Sequence, residues 1–425
     1  MRRTLFLIPH EIAGLPIFGF GWVLILMVIA LLFRVVQVKR SGGSVGGFMA
    51  TEGLMWALFA AAVAIVLPSV ELKNVAGEPV GMAIRGYGVM LLLGVLSAVG
   101  LAMVRAKRRG IDPDAILNMA PWVFIGGIAG ARLFYVVQYR DHFLTDSLAE
   151  TIRRMLTFTE GGLVVYGAFI CGSLAGAYYI SRHRLPLLKL GDAIVPCMFL
   201  GLFFGRIGCL MNGCCYGGQC ENYWAALQFP PGSPVYQDQA TRGDLLGLRF
   251  DPTSGNVTRI SRGGLAEQAG IELGSVVEQI RMDDGYQEAF TKSLPREQAP
   301  LGVIAMIDGK IHRWSPDQLP QRAIPVQPAQ LISSISAIVL CLLLCAASYV
   351  VRRDGLVMLL GFASYAVLRF VLEIVRVDEQ GQFGTDLSIS QWVSIAVLTG
   401  SLAGMIALYR RTNDAEQASL GESGG

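Results

Sequence analysis

Nine runs of apolar residues, each close to 20 long, limit what this chain can fold into: 18–37, 50–70, 83–104, 115–138, 162–181, 190–211, 328–350, 355–375 and 391–409. About 20 apolar residues in a helix span the roughly 30 Å of bilayer hydrocarbon. No water there can satisfy an unpaired N–H or C=O, so the spans must be helices or a closed barrel, and runs this long and continuous specify helices. The expected fold is an all-α polytopic membrane protein. Composition agrees, with 53% hydrophobic and 16% charged residues and a mean hydropathy of +0.50, values outside the soluble range. A net charge of +3 over 425 residues is too small to point to a nucleic-acid partner.

Nine spans put the two termini on opposite sides. The basic segments "FRVVQVKR", "VRAKRRG", "SRHR", "VRRDG" and "YRR" follow the first, third, fifth, seventh and ninth runs. All fall on one side, which the positive-inside rule makes cytoplasmic. The N-terminus and the long segment 213–327 are then expected outside, against the sign of the opening "MRR", and the C-terminus inside. "MRRTLFLIPHEIAG" has neither a compact apolar core nor a small-residue cleavage site, so a removable signal peptide is not expected.

Between the sixth and seventh runs the composition turns soluble. In "GDLLGLRFDPTSGNVTRISRGGLAEQAGIELGSVVEQIRMDDGYQEAF", the stretches "NVTRI" and "GSVVEQI" read as strands and "GGLAEQAG" as a short helix closed by Gly270. Ala266, Ala269, Gly270, Ile271, Gly274 and Val277 follow an order that resembles a PDZ domain, with "GDLLGLRF" where its carboxylate loop and strand would be. That resemblance implies a peptide partner added as a strand to a sheet edge; a degenerate module that only packs is the other reading. At the front, "PIFGFGWVLIL" (16–26) and "AIRGYGVMLLL" (83–93) share an apolar–x–Gly–aromatic–Gly pattern. The first hairpin reads as a partial, structural copy of the third span, with Phe18 and Phe20 where the latter has Arg85 and Tyr87.

Polar and charged groups inside hydrocarbon are costly, so each marks a functional candidate. Apart from the basic flanks these are Arg85 and Tyr87, Arg132 in "GARLFYVVQYRDHF", Tyr166 in "EGGLVVYGAFICG", and Asp192. Arg206 and Asn212 lie in "GRIGCLMNGCCYGG" (205–218), and Arg369, Glu373 and Arg376 in "YAVLRFVLEIVRVDEQ". The last three share a helix face by their i,i+4 and i,i+3 spacing, placing two guanidinium forks around one carboxylate, an arrangement suited to holding an anion. The glycines of 205–218 permit tight turns and close backbone approach, and irregular backbone at membrane depth is tolerated where it lines a polar cavity. Together they imply a cavity for an anionic headgroup, with Arg206 on one wall and Arg369 on another. In the plainer reading the glycines serve helix packing and the arginines snorkel to lipid phosphates, which suits Arg376, near a membrane edge, equally well.

The combination of "IRGYG", "GARLFYV", "EGGLVVYGAFICG", "GRIGCLMNGCCYG", "QPAQL" and "YAVLRFVLEIVR" resembles the prolipoprotein diacylglyceryl transferase family, over 77–230 and 325–410. It covers the last seven of the nine spans, and G-R-[IL]-G-x-x-x-N-G-x-x-x-G is its most specific part. The resemblance implies an enzyme of the bacterial inner membrane, active toward the periplasm and without a cofactor or metal. Such an enzyme moves the diacylglyceryl group of phosphatidylglycerol to the lipobox cysteine of prolipoprotein signal peptides and releases glycerol phosphate. Arg206 and Arg369 would be catalytic, clamping the departing phosphate, with Tyr166 beside them. Tyr87, Asn212, Gly217, Glu373, Arg376 and Gln330, two residues after Pro328, would bind substrate, joined by Arg85 and Arg132 from their place in the spans.

Three positions depart from the family pattern. "VVYGA" replaces S-F-H-G-G, so Tyr166 stands where the family has a histidine; Cys209 replaces an asparagine; and Cys214 replaces the glutamate of N-G-E. A phenol with a pKa near 10 is a poor base at neutral pH unless arginines lower it, whereas an acceptor thiol of pKa about 8.5 can lose its proton to a positive field. The alternatives are a diverged transferase with another acceptor, a transporter or anionic-lipid-binding protein without chemistry, and a scaffold whose PDZ-like module captures a partner.

The expected organisation is an additional transmembrane hairpin (1–70), a membrane core in two parts (71–230 and 325–412), the PDZ-like insertion (231–324) and a flexible cytoplasmic tail (413–425). The insertion leaves after the Gly-rich motif and returns before "QPAQL", a position from which it would present or gate the preprotein. Cys209, Cys214, Cys215 and Cys220 cluster at the outer end of the sixth span. A disulfide, small-residue packing, and a metal or redox site are the three readings. Cys171, Cys197, Cys341 and Cys345 read as helix core.

Overall fold

The computed structural model describes residues 4–74, 77–144, 147–156, 162, 164–220, 224–283, 301–375, 385 and 387–422. From the N-terminus, β1 (Thr4–Pro9) and the small hairpin of β2 (Glu11–Ile12) and β3 (Leu15–Pro16) precede α1 (Trp22–Arg40). α2 (Val45–Ala61) continues through a π-helical turn, Ala62–Val66, into α3 (Leu67–Val70), followed by β4 (Leu72–Lys73) and β5 (Pro79–Arg85). Then come α4 (Gly86–Arg108), α5 (Pro113–Gln138), the short α6 (Leu148–Leu156), α7 (Val165–Arg182) and α8 (Leu187–Asn212). The insertion supplies α9 (Pro234–Thr241), β6 (Leu248–Phe250), β7 (Val257–Ile260), α10 (Leu265–Gln268), β8 (Val277–Asp283), β9 (Gly302–Ile307) and β10 (Lys310–Trp314). α11 (Ala329–Val350), α12 (Leu356–Val375) and α13 (Ile389–Glu422) complete the chain.

Eight helices among the described residues are long and apolar enough to cross a membrane. α7, with 18 residues, stands where the fifth apolar run predicts the remaining span. The segment expected as a tail from 413 continues α13 as helix to Glu422. The chain divides into two compact units, one of residues 1–88, 211–214 and 219–326, the other of 89–210, 215–218 and 327–425.

In the first unit β1 lies antiparallel to β5, from Thr4 opposite Arg85 to Pro9 opposite Gly81, and β4 takes the other edge of β5. A Cβ on Gly81 would fall 2.0 Å from the Ile8 carbonyl oxygen, so this crossing accepts only glycine. The two copies of the Gly–aromatic–Gly pattern fold differently. α4 starts at Gly86, but in the front copy Gly19 has φ +73° and α1 begins only at Trp22. The reason is in the second span. Leu67 N–H bonds five residues back to the Ala62 carbonyl, and Pro68 has no N–H for the next carbonyl, Val63. The Gly19 N–H supplies it, at 3.1 Å.

The strands and helix expected in the insertion occur in the expected order, and Gly270 has φ +74° just past α10. β8, β9 and β10 form one antiparallel sheet and β6 and β7 a hairpin, linked by the Asn256–Val276 bridge. At its base Leu227 and Gln219 both pair with Val326, closing a neck. Inside the neck, Gln239 is 2% exposed and exchanges two hydrogen bonds with the Ile324 backbone, at 2.7 and 3.1 Å.

In the second unit α5 and α7 pack backbone to backbone. A Cβ on Gly130 would lie 2.4 Å from the Gly167 carbonyl oxygen, and one on Gly167 2.3 Å from that of Gly130. Such approach of small residues is what drives association where lipid offers no hydrophobic gain. α4 meets α8 in the same way, with the Cβ position of Gly94 3.2 Å from the Gly201 carbonyl oxygen. Cys197 and Cys341 are buried in the helix cores, as read from the sequence.

Candidate active site

α8 and α12 run side by side in the same direction. A Cβ on Gly361 would lie 2.4 Å from a Val195 methyl, and one turn further along both helices Phe199 meets Tyr365 at 6.1 Å between ring centroids. With α7 and α13 they line a cavity of about 620 Å³. Its walls are apolar, built from residues such as Phe169, Met198, Leu202, Phe362 and Val397, while Tyr166, Arg369 and Ser390 bring polar atoms to it.

Those polar atoms form a chain. Arg369 Nη1 pairs with Glu373 Oε2 at 2.7 Å, and its Nη2 donates to Ser390 Oγ at 2.8 Å. Ser388 Oγ donates to Glu373 Oε1 at 3.2 Å, and the Tyr166 hydroxyl lies 3.4 Å from Ser390 Oγ. Glu373 is 6% exposed, a burial that a carboxylate tolerates only with such partners. The i,i+4 pairing read from the sequence is therefore present. Its third member, Arg376, lies outside the described residues.

Arg206 follows Leu202 by one turn, on the α8 face that lines the cavity. Eleven residues beyond the Val195–Gly361 contact, α8 has reached Arg206 and α12 Leu372, so Arg206 stands level with the Arg369–Glu373 turn. It is half-buried, and among the described residues its guanidinium has no hydrogen-bonding or ion-pairing partner. A partly buried cation without a protein partner is costly unless a ligand anion supplies one.

Gly217 donates its N–H to the Gln327 carbonyl at 3.1 Å, and Gln327 returns one to Gly218 at 2.9 Å. This ties the Gly-rich loop to the start of α11, where Gln330 is fully buried. In the first unit Arg85 and Tyr87 flank Gly86, whose Cβ position lies 2.6 Å from Met211 Cε, and Asn212 is the next residue. Three predicted residues thus share one neighbourhood. The insertion grips the same turn: Val235 N–H donates to the Gly213 carbonyl at 3.2 Å, and a Cβ on Gly213 would be 3.0 Å from the Phe229 ring.

Two candidates bond to the scaffold itself. Arg132 donates to the carbonyls of Met155, Arg154 and Gly162 at 2.8, 2.9 and 3.1 Å, capping the last turn of α6 with a cation. Asp192, a functional candidate by its charge, instead sits near the start of α8, fully buried and paired at 2.9 Å with Arg109, just past the basic end of α4. Sequence reasoning missed Ser388 and Ser390. The available signal was hydroxyls one turn apart, Ser390 and Ser394, inside an apolar run. In the cysteine cluster, the Sγ atoms of Cys209 and Cys215 lie within 4.8 Å of each other, and Cys215 holds a left-handed φ of +57°.

Chemically, the arrangement offers an apolar cavity with a fixed guanidinium, a second guanidinium level with it and a phenol, which suits an amphiphile with an anionic head. Comparison with known proteins gives the same direction. The sequence model of the prolipoprotein diacylglyceryl transferase family matches residues 75–407. A phosphatidylglycerol–prolipoprotein diacylglyceryl transferase of Rhodopirellula baltica is 43% identical over 99% of this chain and 92% of its own length. A protein of the same name from Clostridium tetani is 39% identical over 34% of this chain and 56% of its own. One from Clostridium perfringens is 33% identical over 40% and 66%.

Proposed function

The chain belongs to the prolipoprotein diacylglyceryl transferase family, and from that premise we propose how its second unit carries out the transfer. The enzyme moves the diacylglyceryl group of phosphatidylglycerol to a prolipoprotein cysteine. The sulfur attacks the glycerol carbon that bears the phosphate ester. One C–S bond forms and the C–O bond to phosphate breaks. The electron pair leaves on glycerol phosphate, which takes up the thiol proton.

The apolar cavity suits the donor's acyl chains, and the phosphate belongs at its polar end. A guanidinium has five N–H donors; Glu373 and Ser390 orient Arg369 and leave N–H groups for the phosphate oxygens. Arg206 completes the clamp, and its lack of a partner among the described residues is the observation that carries the reading. Charge grows on the phosphate as the C–O bond breaks, so donors fixed beforehand favour the transition state over the bound lipid. Tyr166 serves by donating a hydrogen bond from its phenolic O–H to that charge. Arg85, Tyr87, Asn212, Gly217, Gln330 and Arg376 fit headgroup and acceptor contacts, and Arg132 supports the site by fixing α6 on α5.

The basic ends of α4 and α7 support an orientation with those ends and the C-terminus in the cytoplasm and the reaction toward the periplasm. There the insertion is suited to presenting the signal peptide, with its PDZ-like strands as the receiving edge. The test is purified protein with phosphatidylglycerol and a lipobox peptide, read by mass spectrometry for the added diacylglyceryl mass. Arg206→Ala and Arg369→Ala should each slow the transfer by about 10² to 10³, the cost of removing a transition-state donor. Product formation at the parent rate in either variant would refute the clamp.

A further inference from the structure

Four of the eight cysteines fall within 209–220, and the proposed transfer draws on none of them. Cys209 lies in the last turn of α8, three residues beyond Arg206 and so beside it on the helix surface. Cys215 lies in the Gly-rich loop that follows. Both are thiols in this structure, both are half-buried, and their Sγ atoms are within 4.8 Å of each other. We propose that Cys209 and Cys215 are a modification site: a thiol pair that closes to a disulfide and pins the Gly-rich loop to the helix that carries Arg206.

The backbone at Cys215 points the same way. Its φ of +57° is left-handed, a conformation that glycine adopts freely and a residue with a Cβ adopts at a cost. Gly213, with φ +75°, meets the same demand with glycine. Position 215 keeps a side chain instead, and a bond through that side chain gives it a use. Cys214 is badly placed to be its partner, because neighbouring Cα atoms are about 3.8 Å apart, below the roughly 4.4–6.8 Å that a disulfide spans. A structural thiolate–metal centre usually takes four ligands, and no histidine or carboxylate joins these sulfurs among the described residues. Closure needs an oxidant, and a small disulfide R–S–S–R supplies it. One protein thiolate attacks it and displaces the first R–SH; the second attacks the mixed disulfide and displaces the other. The pair loses two electrons and two protons, which leave on two R–SH. The far side of the loop is already tied by Gly217 to the Gln327 carbonyl, and the bond would tie the near side.

The inference needs no transferase activity and takes from the proposed function only the outward orientation, which exposes the loop to an oxidising compartment. The experiment treats the purified full-length protein with oxidised glutathione, alkylates the remaining thiols in denaturant and cleaves with cyanogen bromide. Cleavage at Met198, Met211 and Met282 puts Cys209 alone on fragment 199–211 and Cys214, Cys215 and Cys220 on fragment 212–282. Mass spectrometry should find the two fragments joined, and separated by reductant. Cys214→Ser and Cys220→Ser should keep the link, and Cys215→Ser should abolish it. Cys215→Gly repeats that loss with a residue suited to the left-handed backbone, should the serine variant fold poorly. Reduction should lower the thermal midpoint of the parent by about 3–5 °C and leave that of Cys215→Ser unchanged. Fragment 199–211 released from the oxidised parent, a link that survives in Cys215→Ser, or a tightly held metal that protects the thiols would overturn the inference. Protein whose thiols are blocked as the membranes are broken should already carry the link. If the pair is open there and closes only with oxidised glutathione, the pair stands and the outward orientation fails.

Discussion

Pro196 removes an N–H from the middle of α8, and the carbonyl four residues back, that of Asp192, loses its helical donor. Arg105 Nη2 takes the place of that donor at 2.8 Å, while its Nε serves the neighbouring Ala193 carbonyl at 2.9 Å. The Asp192 carboxylate meanwhile accepts from the N–H groups of Gly355 and Met358 at 2.9 and 2.7 Å. It therefore caps the start of α12 in the way an N-cap residue would, from a different helix. This is why Asp192 belongs to the scaffold although its charge marks it for function: the sequence displays the carboxylate, but not the two helix ends it joins. Asp192→Ala takes the acceptor from the Gly355 and Met358 N–H groups and leaves the half-buried Arg109 only Asp354, 3.6 Å away, at a cost of about 3–5 kcal/mol. The thermal midpoint in detergent should fall accordingly. Asp192→Asn, which keeps an acceptor, should fall less and transfer at the parent rate per folded molecule; a large kcat defect in that variant would return Asp192 to the site.

Helix pairs in this protein are set by glycines more than by apolar side chains. Between α5 and α7 there is no room for a methyl group at Gly130, where a Cβ would meet Cys171 Cβ at 2.3 Å. Gly130→Ala should cost about 1–3 kcal/mol, as overpacking does, and separate the helices. Because Gly167 on the facing helix follows Tyr166, the same variant should lose transfer activity beyond its loss of folded protein. Kinetics normalised to the folded fraction would decide this, and a normalised rate equal to the parent's would show that α7 tolerates the shift. The helices themselves were legible in the sequence, since hydrocarbon enforces long apolar runs. Their ends were less so. The start of α1 is displaced by the π-helical turn that offers Val63 to Gly19, and α6 is fixed by an arginine that binds carbonyls, groups every residue has and no residue type reveals.

At the scale of the molecule, the membrane core and the insertion make opposite demands on a charged side chain, and this decides how much of each could be read. Arg206, Arg369 and Glu373 were legible because a charge in hydrocarbon needs a reason. Ser390 was not, because a hydroxyl can bond its own helix and is tolerated there. In the insertion charges are ordinary, and the informative one is partly buried. Asp244 accepts from Gln219 Nε2 at 2.7 Å and lies 3.7 Å from Arg249 Nε, while Arg249 Nη2 donates to Gln219 Oε1 at 3.2 Å. This triangle locks the neck residue Gln219 to β6. Burial pushes the Asp244 carboxyl above the usual range, outweighing Gln219 and Arg249, which act to lower it. The folded insertion therefore holds this proton more tightly than the unfolded chain. Its contribution to stability falls as pH rises from the ordinary carboxylate pKa, near 3.9, through the raised folded value, and the penalty is complete above it. Asp308 runs the other way: the Val276 N–H and Ser275 hold its carboxyl below the usual range, so its contribution is present above the ordinary pKa and lost as pH falls through the lowered folded value. Asp244→Asn isolates the first group. In calorimetry of the full chain, it should raise the insertion's unfolding temperature at pH 7, with a gain that shrinks toward zero as the pH approaches 4. A loss at pH 7 would instead mean that the charge on Asp244 holds the neck through Arg249 more strongly than its burial opposes it.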